Sequence, residues 1–267
     1  MQKYFAFFRL RFTLGLQYRA AAAAGISTQF AWGFMQIMIY KAFYDAEPGA
    51  FPMTFSATVS YIWLQQAFFA LFTAWIVENE ILDSVVNGNI AYELCRPIRI
   101  YNIWFSRSLA NRISRAFLRC LPILLVAVFL PYPYGLSAPA SAFHFVVFIL
   151  ALGLGLLVTV AFCMLIYALT FFTISPQGLM VIFTSMVEFF AGAVIPLPFF
   201  PEKIQRIMEL LPFASMQNAA LRIYSGSMSS PEMKRTVLLQ VIWLFILTFC
   251  GSALCRYAEK KVTIQGG

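Results

Sequence analysis

Apolar positions along the chain gather into long runs separated by short polar segments, and six of these runs approach or exceed the length of a bilayer span. They lie at about 20–42, 54–77, 113–131, 143–172, 178–196 and 236–256, against the ~20 residues that a helix needs to cross the hydrocarbon layer. The fourth is longer than necessary and must tilt or protrude. Ahead of the first run, residues 1–19 place Phe5, Phe8, Phe12 and Leu16 near helical spacing among Lys3, Arg9, Arg11 and Arg19. That pattern predicts an amphipathic helix lying on a membrane surface. The apolar stretch after Arg19 is too long for a secretory signal, and no small-residue cleavage site follows a short core.

Two polar-containing segments are long enough to hold structure of their own. Within residues 78–112, ENEILDSVVNGNIAYEL (78–94) reads as one amphipathic helix with Ile81, Leu82, Val85, Val86, Ile90 and Leu94 as its apolar set. Glu78, Glu80 and Asp83 suit its N-terminal end. Gly88 is a candidate hinge, and Pro97 biases Arg96 away from helix and stops the element. Such a helix could float on lipid or serve as a handle for a soluble partner. Within residues 197–235, PEKIQRIMELLPF places Ile204, Ile207, Met208 and Leu211 at i, i+3, i+4 and i+7. Pro201 opens that helix and Pro212 closes it, and the segment is expected on or in the outer leaflet.

Charge sets the orientation. With the N-terminus inside, inner segments hold 13 of the 19 lysines and arginines, so both termini are expected in the cytoplasm. Of the 267 residues, 61% are hydrophobic and 11% charged, and the mean hydropathy is +0.78. Soluble domains carry about a quarter charged residues, so this is the composition of a membrane protein. It predicts an all-α integral membrane chain in one domain. The net charge of +8 does not point to nucleic acid, because the arginines sit beside apolar runs rather than on a continuous basic face. The five cysteines form no CxxC pair, and the lone His144 completes no metal set with them.

Catalytic signatures are missing from the sequence. It contains no GxxxxGK[ST] phosphate loop, no HExxH and no GxSxG. The chain is therefore expected to be neither an enzyme nor a holder of a cofactor or metal. Glu188, in TSMVEFFAGAVIPLP, is the ionisable group inside a run. Membrane charge is costly and marks polar paths, while a satisfied carboxylate near a helix end is the simpler reading. Just beyond it, AGAVIPLPFFP combines Gly192 with Pro196, Pro198 and Pro201, through which no continuous helix passes. At membrane depth, protein or water must satisfy the freed carbonyls. A helix ending at the outer surface explains the same residues.

The stretches GNIAYELCRPI (88–98), AGAVIPLPFFPEKIQRIMELLPF (191–213), RIYSG (222–226), QVIW (240–243) and AEKKVTIQGG (258–267), taken in this order, resemble the ABC-2-type permeases. The likeness is to the compact six-span branch encoded with an ATPase and often a second permease, and it covers essentially the whole chain. It implies the transmembrane subunit of an ATP-driven exporter in a bacterial inner membrane, with hydrolysis on two separate ATPase subunits. The partner permease is implied to be a related but different chain, or an identical copy. The resemblance places a coupling helix after the second span, here carried by Asp83, Gly88, Ile90, Tyr92, Glu93, Arg96, Pro97 and Arg99. It places the path or outer gate at Glu188, Gly192, Pro196, Pro198, Phe199 and Phe200. An ion-coupled secondary transporter is the competing reading; it needs midplane ion ligands beyond Glu188 and shows no repeat between the halves. A non-transporting scaffold or immunity protein that binds a partner through residues 78–112 is a third.

Overall fold

A computed structural model describes residues 2–47, 49, 51–173 and 175–261. These form twelve α-helices, two short 3-10 turns and, among the described residues, no strand. The last six residues of the 258–267 stretch lie outside the described residues. In chain order the helices are α1 (Gln2–Gly15), α2 (Arg19–Ala46), α3 (Phe55–Ala67), α4 (Phe69–Phe72), α5 (Asn79–Val86) and α6 (Ile90–Leu94). They continue with α7 (Ile100–Phe129), α8 (Ala142–Leu169), α9 (Pro176–Phe190), α10 (Glu202–Leu210), α11 (Asn218–Tyr224) and α12 (Ser230–Lys261).

Local chemistry explains several of the boundaries. The Thr54 hydroxyl accepts from the Ala57 N–H at 3.2 Å and opens α3. Ser141 does the same for the His144 N–H at 3.2 Å and meets the His144 ring Nδ1 at 2.7 Å, so the one histidine helps to cap α8. Pro176 stands at the first position of α9, where its missing N–H costs nothing.

Two helices are long and apolar enough to cross a bilayer by length and composition: α8 with its 3-10 extension, Ala142–Phe172, and α12. They pack along one another, α8 well inside the fold and α12 on its flank. Tyr101 of α7 rests on Gly251 of α12, where an added Cβ would stand 3.1 Å from the ring. On the other side of α8, Gly155 lets the Met216 carbonyl approach so closely that a Cβ would lie 2.1 Å from its oxygen. Large apolar side chains such as Trp32, Phe117, Leu125, Phe129, Phe245 and Phe249 remain on the surface, as suits a chain whose solvent is lipid.

The structure redraws five of the sequence expectations. The run at 54–77 is not one helix: α3 ends at Ala67, α4 lasts a single turn, and the backbone from Thr73 to Glu78 is irregular. The run at 178–196 is helical only to Phe190, about 22 Å at 1.5 Å per residue, short of a hydrocarbon thickness of about 30 Å. The 78–94 helix is two short helices, because Gly88 turns the chain at φ +74°. Residues 100–112, expected with the polar connector, already belong to α7. Finally, the 197–235 segment holds, besides its amphipathic helix, a second helix whose every residue is buried: α11, against α8 and α3.

The first of these corrections has an electrostatic cause. Arg112 of α7 is fully buried, and its guanidinium donates to the carbonyls of Leu71 (3.3 Å), Thr73 (2.7 Å) and Ile76 (2.9 Å). The remaining contact is the Cys163 sulfur of α8 at 3.2 Å. Ending α4 frees carbonyls that need donors, and a buried cation needs acceptors; each solves the other's problem. Replacing Arg112 by Met keeps the length but leaves these carbonyls unpaired, at a cost on the order of 3–5 kcal/mol. The expected result is a Tm lower by about 10 °C in detergent, with Arg112→Lys recovering part of the loss. An unchanged Tm would remove Arg112 as the anchor of the break.

Candidate functional site

Two regions gather the residues singled out from the sequence. The first is the connector from Glu78 to Arg99. Its root is held firmly: the Glu78 carboxylate accepts from Asn111 Nδ2 at 2.8 and 2.7 Å, and the Glu78 N–H donates to the Tyr167 hydroxyl at 2.9 Å. From there α5 buries Ile81 and Leu82, and α6 buries Ile90, all in one cluster with Trp104, Met164 and Tyr167.

Of the eight expected docking residues, Asp83, Gly88, Tyr92, Arg96, Pro97 and Arg99 are exposed. Tyr92 is the most prominent, with 75% of its surface accessible. Ile90 and Glu93 turn inward instead. The Glu93 carboxylate accepts from Trp104 Nε1 at 2.7 Å and lies 4.0 Å from the Arg107 guanidinium. It ties α6 to α7 and is not presented to solvent as a free charge.

An ion network then joins the connector to the N-terminal helix. Arg11 of α1 reaches Glu80 of α5 at 2.9 Å, and buried Arg107 of α7 reaches the same carboxylate at 3.4 Å. Both cations also lie near the ring of Phe7 of α1, with Arg11 and Arg107 at 5.5 and 5.8 Å from its centre. Sequence reasoning missed Arg11, Trp104 and Arg107 as site residues. Their signal was the presence of basic groups within apolar helix faces, where charge demands a partner.

The second region is the break after α9. Gly192 has φ +77°, the Ala193 N–H returns to the Glu188 carbonyl at 3.1 Å, and the Gly192 N–H to the Phe189 carbonyl at 3.4 Å. This is a Schellman end, for which glycine is the favoured residue. A side chain at Gly192 would also strike Leu197, whose Cδ1 would lie 2.5 Å from the added Cβ. The freed Ala193 carbonyl accepts from Gln65 Nε2 of α3 at 2.6 Å. Pro196 and Pro198 are buried, and Phe199 and Phe200 half-buried. Phe199 packs on Tyr40, Tyr44 and Phe51 at the end of α2, and Phe200 on Phe189. Beyond them α10 runs between Pro201 and Leu211–Pro212, with Arg222 of α11 paired to Glu209.

Glu188 is half-buried on α9, and its carboxylate accepts from the Trp75 indole N–H. Trp75 belongs to the irregular segment after α4, so the two helix breaks are joined by one side-chain contact. The two regions themselves remain separate: the structure does not bring the connector residues to the Gly192–Phe200 break. Neither region assembles a nucleophile with a base, and among the described residues no group of three or more His, Cys, Asp or Glu could hold a metal ion.

The Arg11–Glu80 contact has a testable strength. The hydrogen bond from Arg11 holds the Glu80 carboxyl below its ordinary value of 4.5, against a smaller opposing effect of partial burial. A lowered folded value means that the contact contributes above the ordinary range and is lost as pH falls through the folded value. Half-exposed pairs are worth about 0.2–1 kcal/mol. Arg11→Gln should therefore speed amide exchange across Gln2–Gly15 by roughly two- to five-fold at pH 7. The wild type should match the variant only below pH 4.5, after correction for intrinsic exchange rates. Equal protection in both at pH 7 would dismiss the pair as a tether of α1.

No curated protein matches the chain. Its sequence matches the family described as ABC-2 family transporter protein over residues 30–266, from the middle of α2 through the break, α10 and α11 to the end of α12. That span contains the connector, its brace on α7 and the Glu188–Phe200 region, and the chain belongs to the ABC-2 transporter family as a transport component of the membrane.

Proposed function

We propose that this chain is the membrane subunit of an ATP-driven exporter, moved by separate ATPase subunits and paired with a second permease. In this reading six helical segments cross a bacterial inner membrane with both termini in the cytoplasm. They are α2, α3–α4, α7, α8, α9 with its capped end, and α12. The observation that carries the proposal is the connector, in a chain of this family: a short helical elbow, apolar on the inside and braced by Arg107 and Arg11, presents Tyr92, Arg96 and Arg99 outward. A soluble motor that pushed on a loose loop would move only the loop. Here the elbow is keyed to α1, α7 and α8, so a push is delivered to the helices.

The coupling is a population shift. Nucleotide-bound ATPase must prefer one arrangement of the elbow, and by linkage that arrangement must prefer nucleotide-bound ATPase. At the far end, the Glu188–Phe200 region serves as path or outer gate. Trp75 joins its helix to the segment from which the connector emerges. Export as the direction, and the identity of the second permease, rest on family likeness.

Co-expression with the neighbouring genes, tagged pull-down and nucleotide hydrolysis on the eluate test the proposal. Tyr92→Ala combined with Arg96→Glu removes an exposed anchor and reverses an exposed charge. It should weaken ATPase association at least about ten-fold while insertion is unaffected. A partnerless wild-type chain would overturn the exporter reading, and a bound partner with no ATP hydrolysis would favour a scaffold. Separately, Glu188→Gln should lower transport by the intact complex without changing its subunit composition. Undiminished transport would return Glu188 to a purely structural role on Trp75.

A further inference from the structure

Where α1 ends and α2 begins, the chain folds back against the middle of α7 and leaves a cavity of about 530 Å³. Two close approaches build its walls. Gly15 sits so near α7 that an added Cβ would be 2.1 Å from Ser114 Oγ, and Gly25 so near Arg119 that a Cβ would be 2.5 Å from the guanidinium carbon. The first closes α1 onto α7. The second lays the Arg119 side chain directly on the α2 backbone.

The charge in this cavity is unbalanced. Three arginines, Arg11, Arg115 and Arg119, line it against two carboxylates; Glu80 is paired with Arg11 and buried Arg107, and Glu78 is hydrogen-bonded to the neutral Asn111. Arg115 and Arg119 stand four residues apart on one face of α7. Among the described residues neither forms an ion pair or donates a hydrogen bond. The Arg119 Nε is enclosed without a partner, as are those of Arg107, Arg112 and Arg222; those three pair through their terminal nitrogens, and Arg119 does not. The negative end of α1 and the positive start of α2 meet at the same corner, so their dipoles offset one another and the two guanidiniums set the sign.

We propose that this cavity is a binding site for a phosphate group of net negative charge, one without a cation attached beside it, held by Arg115 and Arg119. Paired planar guanidiniums match tetrahedral phosphate oxygens with two-pronged hydrogen bonds, and the volume suits a lipid headgroup or a small phosphorylated solute. An anionic lipid of the inner leaflet supplies such a group if the corner lies at the cytoplasmic interface, a placement that rests on the orientation given above. The binding chemistry itself does not depend on that orientation.

The test uses the whole purified chain with three probes: phosphatidylglycerol, phosphatidylcholine at the same mole fraction, and inorganic phosphate. Native mass spectrometry counts retained lipid, and thermal unfolding reads ligand stabilisation. Phosphatidylglycerol should bind saturably and raise Tm, phosphatidylcholine should do neither, and Arg115→Gln with Arg119→Gln should weaken binding about ten-fold. Ala21→Glu is the second variant. Ala21 is exposed at the cavity wall, and a glutamate there, favourable in the first turn of α2, should occupy the guanidiniums and exclude the ligand without unfolding the chain. Stabilisation by inorganic phosphate equal to that by phosphatidylglycerol, abolished in both variants, identifies a soluble phosphate as the source. Equal retention of the two lipids, or binding unchanged in both variants, overturns the proposal. None of these readings needs an ATPase or transport, so their failure is separable from failure of the exporter reading.

Discussion

A guanidinium with no access to water needs acceptors on nearly every side, and Arg112 finds them in a stretch of backbone that cannot continue as helix. The carbonyls of Leu71, Thr73 and Ile76 close around it, with Cys163 of α8 on the remaining side. Three parts of the chain are therefore fixed at one point: the end of α4, the middle of α7 and the C-terminal third of α8. The connector leaves this point two residues after Ile76, already held by Asn111 and Tyr167 through Glu78. Its elbow can project outward because its root cannot move far.

The second break follows a different rule. After α9 the backbone groups are satisfied locally by the Schellman hydrogen bonds around Gly192, and one carbonyl is handed to Gln65 of α3. This economy lets a helix end where apolar packing is dense, with Pro196, Leu197 and Pro198 buried directly after it. Glu188 sits at the junction, its backbone carbonyl in the helix cap and its carboxylate on Trp75. A carboxylate in an apolar helix thus does structural service on one side and stays half-accessible on the other. The indole contact gives the carboxylate a donor, so its polarity does not unfold the helix that carries it.

Charge is distributed by the same logic throughout. Arg107, Arg112 and Arg222 are buried with named acceptors; the first two join elements distant in sequence, and Arg222 joins α11 to the preceding α10. Arg115 and Arg119 differ: both line a cavity, and among the described residues neither is paired with an acceptor of the chain. On one helix, then, Arg107 and Arg112 hold other elements through their terminal guanidinium nitrogens, while those of Arg115 and Arg119 hold none.

What the sequence by itself determined are the features that short-range chemistry controls. The apolar runs and the low charge content specify a helical membrane chain. Pro97 ends the connector, Gly88 bends it, Pro201 and Pro212 bound α10, and Gly192 ends α9. Each of these acts within a few residues of itself, so each is legible without a partner. Tertiary structure alone decided the break in the run at 54–77, because no glycine or proline marks it; its acceptors are claimed by an arginine some 36–41 residues later. It also decided that α11 is buried, since NAALRIY has too little periodicity to declare a face and is enclosed by α8 and α3. In the candidate site, Tyr92 and Arg96 were legible as polar positions in an apolar chain, but the inward turn of Glu93 was not. A helix as short as α6 completes barely more than one turn, and the direction of each side chain is then set by what waits across the gap: Trp104 and Arg107.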